Sequence, residues 1–251
     1  MALVDAEGIV TRETKYGDTS RILTVITKEL GRISVLARSV RKGKSGLLAA
    51  TGLFSHSKFT LFKSGSSSLY KLNEGEQITS FSGLKDSLEG MAFASYFCDV
   101  TNLVVQEDSP DIAQTELLLR SLYMLSREGK NPEKIKAAFE FRTLALAGLM
   151  PDVSACASCG AAMPLLLINA AEGAVYCEDC AESHPGSMQI NDSILAAISY
   201  IILCEDKKIF SFNMSDESIK YLSKLGEYCI EILFEKNFKT LDYLRKVTAL
   251  T

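Results

Sequence analysis

Two Cys-x2-Cys pairs constrain the fold of this 251-residue chain more than any other feature of its sequence. The pairs are Cys156-Ala-Ser-Cys159 and Cys177-Glu-Asp-Cys180, with seventeen residues between them, a spacing typical of a four-cysteine zinc site. Each pair directs two sulfur atoms to one point, and zinc takes four such ligands at tetrahedral corners. Gly160 permits the left-handed turn that often follows such a pair. The residues around Glu172-Gly173 are predicted to form a hairpin that brings the pairs together.

We therefore expect one structural Zn²⁺ at these four cysteines. Because every ligand is a cysteine, no coordination position is left for water, and this disfavours catalytic zinc. Metal-free thiols and redox chemistry are the alternatives. Cys98 and Cys229 fall on apolar helical stripes and are expected to be buried.

The sequence offers little from which an active site could be built. Its two histidines, His56 and His184, lie outside the His-x-Glu context of zinc deaminases. Gly43-Lys44-Ser45 resembles the end of a phosphate-binding loop, but Arg38 stands where that motif requires a glycine. No catalytic residue is predicted, and a protein without enzymatic activity is expected.

The first 80 residues have the composition of short β-strands separated by turns. No proline precedes Pro110, so nothing interrupts strand pairing. Five strands in this length predict a small closed barrel, of which the OB-fold is the commonest nucleic-acid-binding type, although SH3-like barrels need the same number of strands. The predicted strands are Ala6–Arg12, Ser20–Thr27, Arg32–Ala37, Lys58–Lys63 and Ser68–Ile78.

Beyond residue 82 the apolar residues recur with the 3.6-residue period of α-helices. Asp111 and Asn131-Pro132 are typical helix starts, and Gly148 followed by Pro151 is a typical helix end. The expected fold class is α+β, with a five-stranded barrel domain at 1–80 and an all-α domain at 81–251 that carries the zinc insert at 151–190. The predicted helices cover 84–105, 111–127, 131–148, 192–203 and 215–235.

The formal net charge of −4 hides two regions of opposite sign. Residues 1–80 hold twelve Lys/Arg against seven Asp/Glu, which gives +5. Residues 81–251 hold fifteen against twenty-four, which gives −9. The total charge therefore does not exclude nucleic acid as a partner of the N-terminal domain.

A cluster of cations without acids lies between the third and fourth predicted strands. With its glycines and serines, such a loop can follow a phosphate backbone and release condensed counterions. An aromatic residue on which bases stack is the usual second component of single-strand binding, and Tyr70 beside Lys71 is the candidate. A solvated loop that serves only solubility is the alternative. The cations of the loop are Arg38, Arg41, Lys42 and Lys44.

Nothing in the sequence indicates a membrane or an export route. No apolar run reaches the roughly 18 residues that a spanning helix needs. Residues Met1 to Asp5 lack the basic and apolar regions of a secretory signal. The seven cysteines are an odd number, and a reducing, cytoplasmic location is expected.

Several sequence blocks occur together in an order that points to one family. They are Tyr16-Gly-Asp-Thr-Ser-Arg-Ile-Leu-Thr24, Thr27-Lys-Glu-Leu-Gly-Arg-Ile-Ser-Val-Leu-Ala37, Arg41-Lys-Gly-Lys-Ser45, Phe139-Glu-Phe-Arg142, Gly148-Leu-Met-Pro151 and Cys156-Ala-Ser-Cys159-Gly160. In this order the chain closely resembles the bacterial RecO family of DNA repair and recombination mediators. The resemblance runs from about Ala6 to the last helix, and Asp18, where relatives often carry Glu, is a mild departure.

The resemblance implies an OB-fold joined to a helical domain with a zinc-finger-like insert. It also implies binding to single- and double-stranded DNA and annealing of complementary strands. RecR and the C-terminal tail of single-strand-binding protein are the implied partners in loading RecA on gapped DNA, which makes the protein nucleoid-associated. Some members of the family lack the cysteines, so the metal is accessory to function. The family's metal positions map onto Cys156, Cys159, Cys177 and Cys180, and its DNA-contacting cations onto Arg38, Arg41, Lys42 and Lys44.

A partner site is predicted on the helix that starts at Pro132. Lys134, Ala138 and Arg142 recur every four residues on one face, where cations beside a groove would bind an acidic peptide with an apolar end. A solvated face whose cations pair with Glu140 or other nearby acids is the alternative. For the whole protein, the alternative to a DNA-binding mediator is a zinc-ribbon protein scaffold with incidental DNA contact.

Overall fold

The computed structural model describes residues 2–38, 45–63, 68–162 and 164–250. The chain forms two compact units. One comprises Met1–Lys130 and Lys239–Thr251, and the other comprises Asn131–Phe238. The C-terminal segment thus belongs to the same unit as the N-terminal strands. The division of the sequence at residue 80 into two domains stays a prediction.

Five β-strands form a closed barrel in the first unit, and the prediction of five strands is confirmed. They are β1 (Ala2–Tyr16), β2 (Ser20–Thr27), β3 (Gly31–Ala37), β4 (Ser55–Lys63) and β5 (Leu69–Ser80). Their order is β1-β2-β3-β5-β4, and β4 also pairs with β1. All pairings are antiparallel except the short parallel pairing of β3 with β5.

Alternating apolar residues build the core of the barrel. Ile33, Val35 and Ala37 on β3 are buried at two-residue spacing, because successive side chains point to opposite faces of a strand. The other strands contribute in the same way. Further members of the core are Ala6, Val10, Leu23, Val25, Phe59, Leu61 and Tyr70.

A short helix, α1 (Ser45–Ala50), lies between β3 and β4 and is absent from the sequence prediction. Hydroxyl groups of β4 satisfy carbonyl groups at its C-terminal end. Ser55 Oγ donates to Ala49 O at 2.9 Å, and Ser57 Oγ donates to Ala50 O at 2.9 Å. Six residues are too few to show a helical period, and contacts from a later strand stabilise the helix instead.

The remaining α-helices are α2 (Leu88–Val104), α3 (Ile112–Leu125), α4 (Pro132–Leu146), α5 (Asp192–Leu203), α6 (Asp216–Leu233) and α7 (Lys239–Thr248). The predicted starts at Asp111 and Asn131 are confirmed, because both side chains accept N-cap hydrogen bonds. The first predicted helix begins later than expected. Ser87 caps α2, and Ser82–Lys85 forms a separate 3-10 helix.

The last helix, α7, is also missing from the sequence prediction. It packs against α2 in the first unit, with Leu241, Leu244 and Val247 buried. Thr240 Oγ1 donates to Asp99 Oδ2 at 3.0 Å, although the two residues are 141 positions apart. A ten-residue helix has a short apolar stripe, and a partner this distant in sequence leaves no local signal.

The cysteine insert forms a small antiparallel sheet in the second unit. Its strands are β6 (Leu165–Asn169), β7 (Ala174–Cys177) and β8 (Met188–Gln189), in the order β7-β6-β8. The hairpin predicted around Glu172-Gly173 is confirmed as the connection of β6 to β7. A 3-10 helix, Glu178–Ser183, follows β7, and α4 packs against α5 and α6 in the same unit.

Candidate metal centre and nucleic-acid interface

The first cysteine pair lies in a tight turn held by backbone hydrogen bonds. Gly160 N donates to Cys156 O at 2.9 Å, and Cys156 N donates to Ala161 O at 2.8 Å. Gly160 has a φ of 75°, the left-handed conformation predicted for it. Ala157 N donates to Val175 O at 3.0 Å and so fixes this turn to β7.

The second pair begins where β7 ends. Cys177 is the last residue of that strand, and Cys180 lies in the 3-10 helix that follows. All four sulfur atoms lie within 4.8 Å of one another, and Cys159 Sγ is 3.6 Å from Cys177 Sγ. Tetrahedral zinc with bonds of about 2.3 Å places its sulfur ligands about 3.8 Å apart. The four predicted ligands therefore come together in a cluster that could hold a metal ion.

Hydrogen bonds within the cluster shift the pKa values of its thiols in opposite directions. Backbone hydrogen bonds, first from Cys177 and then from Cys159, lower the pKa of Cys156 to about 6. The hydrogen bond with the Cys177 thiol is the main cause that raises the pKa of Cys180 to about 12. Four crowded sulfur atoms cannot all be thiolates unless a cation lies among them, and thiolate donors select soft metals.

A hydrogen-bonded network around His184 borders the cysteine cluster. The sequence motifs do not predict this network. His184 Nε2 lies 3.1 Å from Ser158 Oγ, and His184 Nδ1 lies 2.7 Å from Glu172 Oε2. The imidazole stacks on Tyr176 with 3.6 Å between ring centroids, and the Tyr176 hydroxyl donates to the same carboxylate. Ser158 lies within the first cysteine pair, and His184 follows the second cysteine pair in sequence. The hydrogen bond between these two residues therefore links the two cysteine pairs. His184 lies only four residues after Cys180, and this short separation indicates that its side chain lies near the cysteine cluster. Its contacts with Ser158 and Glu172 also depend on how β6 and β7 pair.

Two of the other cysteines are packing residues, as predicted. Cys98 and Cys229 are buried. Burial raises the pKa of both thiols, that of Cys229 to about 12. A thiol with a raised pKa is a poor nucleophile at neutral pH.

The described part of the predicted DNA loop places one of its cations at the end of β3. Arg38 follows the last residue of that strand and is exposed, whereas Arg41, Lys42 and Lys44 lie outside the described residues. Lys71 is also exposed and pairs across the β3–β5 contact with Leu36. Arg38 and Lys71 are therefore at the same end of the barrel.

Most of the barrel cations that the structure describes form ion pairs with carboxylates. The ion pairs are Arg12–Asp99, Arg21–Glu13, Lys28–Glu7, Arg32–Glu107 and Lys63–Asp108. Within the described residues, Lys15, Arg38, Lys58 and Lys71 have no carboxylate partner.

One side of the barrel is unsuited to DNA. Lys58 lies in a depression of about 520 Å³ with five carboxylates around it. These carboxylates would repel phosphate groups. They belong to Asp5, Glu7, Glu29, Glu74 and Glu76.

Tyr70 does not supply the predicted stacking platform. Its side chain is 3% exposed and belongs to the barrel core, so its ring offers no face to a base. Its hydroxyl accepts a hydrogen bond from Lys63 Nζ at 3.0 Å and donates to Asp108 Oδ1 at 3.1 Å. Neighbouring residues of a strand point to opposite faces of the sheet. Because Lys71 points to solvent, Tyr70 points into the barrel.

The predicted partner face on α4 is mostly buried. Ala138 is 0% and Arg142 is 8% exposed. Arg142 donates from Nη1 to Ile202 O at 2.8 Å and from Nη2 to Cys204 O, and so satisfies carbonyl groups at the C-terminal end of α5. Lys134 is half-buried, with Nζ 4.8 Å from the Phe212 ring centroid. Lys134 and Arg142 therefore do not share an exposed peptide-binding face.

No helix in the parts of the chain that the structure describes is long and apolar enough to cross a membrane.

Comparison with known proteins gives the family. Residues 1–81 match the family model described as Recombination protein O N terminal, and residues 85–242 match Recombination protein O C terminal. DNA repair protein RecO of Acetivibrio thermocellus is 32% identical over 246 residues, which cover 98% of this chain and 97% of the relative. DNA repair protein RecO of Alkaliphilus metalliredigens is 30% identical, with 98% and 100% coverage. That of Listeria monocytogenes serotype 4b is 29% identical, with 96% and 93% coverage.

The fold and the site define a class: proteins with a β-barrel, a helical part and a four-cysteine insert. Within that class, this chain belongs to the RecO family of DNA repair proteins.

Proposed function

We propose that this chain is a recombination mediator without enzymatic activity, which binds single- and double-stranded DNA and anneals complementary strands. The observation that carries the proposal is the match to both family models and to curated DNA repair proteins over nearly the full chain. We further propose that it acts with RecR and with the C-terminal tail of single-strand-binding protein to load RecA, in the cytoplasm and on the nucleoid.

The topology of the barrel supports the DNA-binding part of the proposal. An order of β1-β2-β3-β5-β4 with a helix between β3 and β4 is the one expected of an OB-fold. Such folds bind oligonucleotides on the face of the second and third strands and at the β1–β2 and β4–β5 loops. Arg38 at the end of β3 and Lys71 near the start of β5 lie in this region and have no carboxylate partner within the described residues.

Annealing in this proposal needs no chemical step. Cations on the barrel reduce the repulsion between two phosphate backbones, and base pairing then supplies the driving force. The region 81–251, with its charge of −9, is left for protein partners.

We assign Zn²⁺ to the four-cysteine cluster. Four cysteine sulfur atoms within 4.8 Å of one another supply the all-cysteine donor set that structural zinc prefers. The ion would be held by Cys156, Cys159, Cys177 and Cys180 and would contribute on the order of 10 kcal/mol to the folding of the insert.

A strand-annealing assay tests the function. Complementary oligonucleotides, bare or coated with single-strand-binding protein, are mixed with the full-length protein, and duplex formation is followed by fluorescence. We expect faster annealing that weakens with salt, and a loss of this effect when Arg38, Arg41, Lys42 and Lys44 are all changed to Gln. A protein scaffold would retain its protein partners in that variant and would not anneal DNA. Absence of annealing together with salt-independent DNA binding would contradict the proposal.

A further inference from the structure

The segment that follows α2 pairs with the first half of β3, which β5 leaves unpaired. β5 pairs with only the second half of β3, and Arg32 lies in the half that β5 does not reach. There Arg32 N donates to Gln106 O at 3.0 Å, and Asp108 N donates to Arg32 O at 3.4 Å. Gly31 allows this approach, because a Cβ atom at that position would lie 2.1 Å from Ser109 O. The segment is thus held in place by backbone contacts with β3.

This segment carries a carboxylate to the end of β4. Lys63 Nζ lies 3.1 Å from Asp108 Oδ2 and 3.2 Å from Asp108 Oδ1. The Tyr70 hydroxyl, which accepts from Lys63, donates to the same carboxylate. Asp108 has a φ of 51°, in the left-handed region that Asp and Asn adopt more readily than most residues. One ammonium group and one hydroxyl group are also the partners that proteins offer to a phosphate oxygen.

The pair is open to competition. The side chains of Lys63 and Asp108 are 35% and 53% exposed, so solvent screens their attraction and the pair is weak. Lys63 ends β4, immediately before the connection to β5. Lys71 pairs with the neighbouring Phe62 and has no carboxylate partner within the described residues. A barrel of the OB type binds nucleic acid at this connection.

We infer that Lys63 binds a phosphate group of nucleic acid. In the free protein, the Asp108 carboxylate occupies the position beside Lys63 that the phosphate group would take. A phosphate group replaces the carboxylate on Lys63 and on the Tyr70 hydroxyl, so Asp108 competes with DNA and favours its release. The ring of Tyr70 stays in the barrel core, and only its hydroxyl contacts the phosphate group. The inference rests on the proposed function, because it specifies how the same barrel binds DNA.

The test is binding of a fluorescein-labelled single-stranded oligonucleotide to the full-length protein, measured by anisotropy across a salt series. Asp108→Asn keeps the left-handed backbone favourable and removes the competing charge, and we expect about fivefold tighter binding. Lys63→Gln should weaken binding and reduce the slope of log K against log salt by about 0.7. The matched control is Glu107→Gln, which removes the adjacent exposed carboxylate that pairs with Arg32.

The double variant separates competition from a general charge effect. If Asp108 acts through Lys63, then Lys63→Gln with Asp108→Asn binds no more tightly than Lys63→Gln alone. Equal tightening by Asp108→Asn and Glu107→Gln, or an unchanged salt slope in Lys63→Gln, would overturn the inference. The salt slope of Lys63→Gln is measured with Asp108 unchanged. It therefore tests the contact between Lys63 and phosphate independently of the competition by Asp108. A wild-type protein that binds no DNA would instead contradict the proposed function.

Discussion

Lys136 Nζ on α4 lies 2.8 Å from Glu227 Oε1 on α6, and the lysine side chain is 1% exposed. The same nitrogen lies 3.2 Å from Glu140 Oε2. It also donates to Ser223 O at 3.0 Å and to Ser223 Oγ at 2.9 Å. A buried ammonium group is tolerated because each of its N–H donors has a partner.

Replacing Lys136 should therefore destabilise the fold strongly. Lys136→Met keeps most of the side-chain volume but leaves the 0%-exposed Glu140 carboxylate buried without its cation. We expect a loss of about 3 kcal/mol or more in the free energy of unfolding, measured by urea denaturation at pH 7. Lys224→Met, at an exposed position of α6, is the matched control and should change stability by less than about 0.5 kcal/mol. Adding Glu140→Gln to Lys136→Met should recover part of the loss, and equal stabilities of Lys136→Met and the control would refute this account.

What the sequence reveals here depends on the range of the interaction. The N-caps at Asp111 and Asn131 and the two-residue alternation of β3 are local signals, and they predict those elements. The four cysteines come together because the two pairs and the hairpin between them lie within 25 residues. The cysteine cluster could therefore be predicted from the sequence.

Contacts between distant segments were not predictable in this way. A four-residue spacing on α4 shows that Lys134, Ala138 and Arg142 share a face, but not that Arg142 donates to a carbonyl group of α5. Likewise, nothing near Tyr70 in sequence shows that Asp108 accepts its hydrogen bond. Burial depends on the partner element, and that information lies elsewhere in the chain.

The histidine network predicts a dependence of metal affinity on His184. Without its imidazole, Ser158 in the first cysteine pair loses the contact that ties it to the segment after the second pair. Groups that orient metal ligands contribute about tenfold or more to affinity, and we expect a tenfold weaker Zn²⁺ affinity for His184→Ala. Competition with a chromogenic chelator measures it. His56→Ala, in the barrel, is the control, and equal affinities for the two variants would rule out this role of the network.

Metal removal should affect the two units differently. The cysteine cluster belongs to the second unit, whereas the barrel belongs to the first. After chelation we expect a lower thermal stability of the second unit and unchanged single-stranded DNA binding, because metal-binding energy is folding energy for the segment that binds it. Calorimetry and anisotropy on the same chelated sample measure the two effects. A parallel loss of DNA binding would show that the metal centre contributes to the DNA interface.

The surface cations make a quantitative prediction about salt. Changing both Arg38 and Lys71 to Gln should weaken binding to single-stranded DNA irrespective of base sequence and reduce the salt slope by about 1.4, which corresponds to two phosphate contacts. The control is Lys58→Gln, which loses the same kind of charge from the acidic depression and should leave the slope unchanged. Equal slopes for the double variant and the wild type would exclude this end of the barrel as the DNA surface.

His56 should make the stability of the protein depend on pH. Burial lowers the pKa of His56 below its ordinary value of 6.5, and it outweighs the nearby Glu7 carboxylate, whose Oε1 lies 3.1 Å from Nε2. The pKa of Glu7 is itself lowered, chiefly by its hydrogen bond with Lys28, which favours the ionised form of this carboxylate. The unfolded chain therefore binds a proton at His56 more readily than the folded protein does.

The sign of the effect follows from this difference in pKa. The contribution of His56 to stability is complete above about pH 6.5 and is lost progressively as the pH falls towards its lowered pKa in the folded protein. Urea denaturation between pH 5 and pH 8 should show the stability of the wild type declining relative to His56→Gln as the pH falls. His184→Gln serves as the control for loss of a histidine elsewhere in the chain. Parallel pH profiles for the wild type and His56→Gln would mean that burial does not penalise the protonated form of His56.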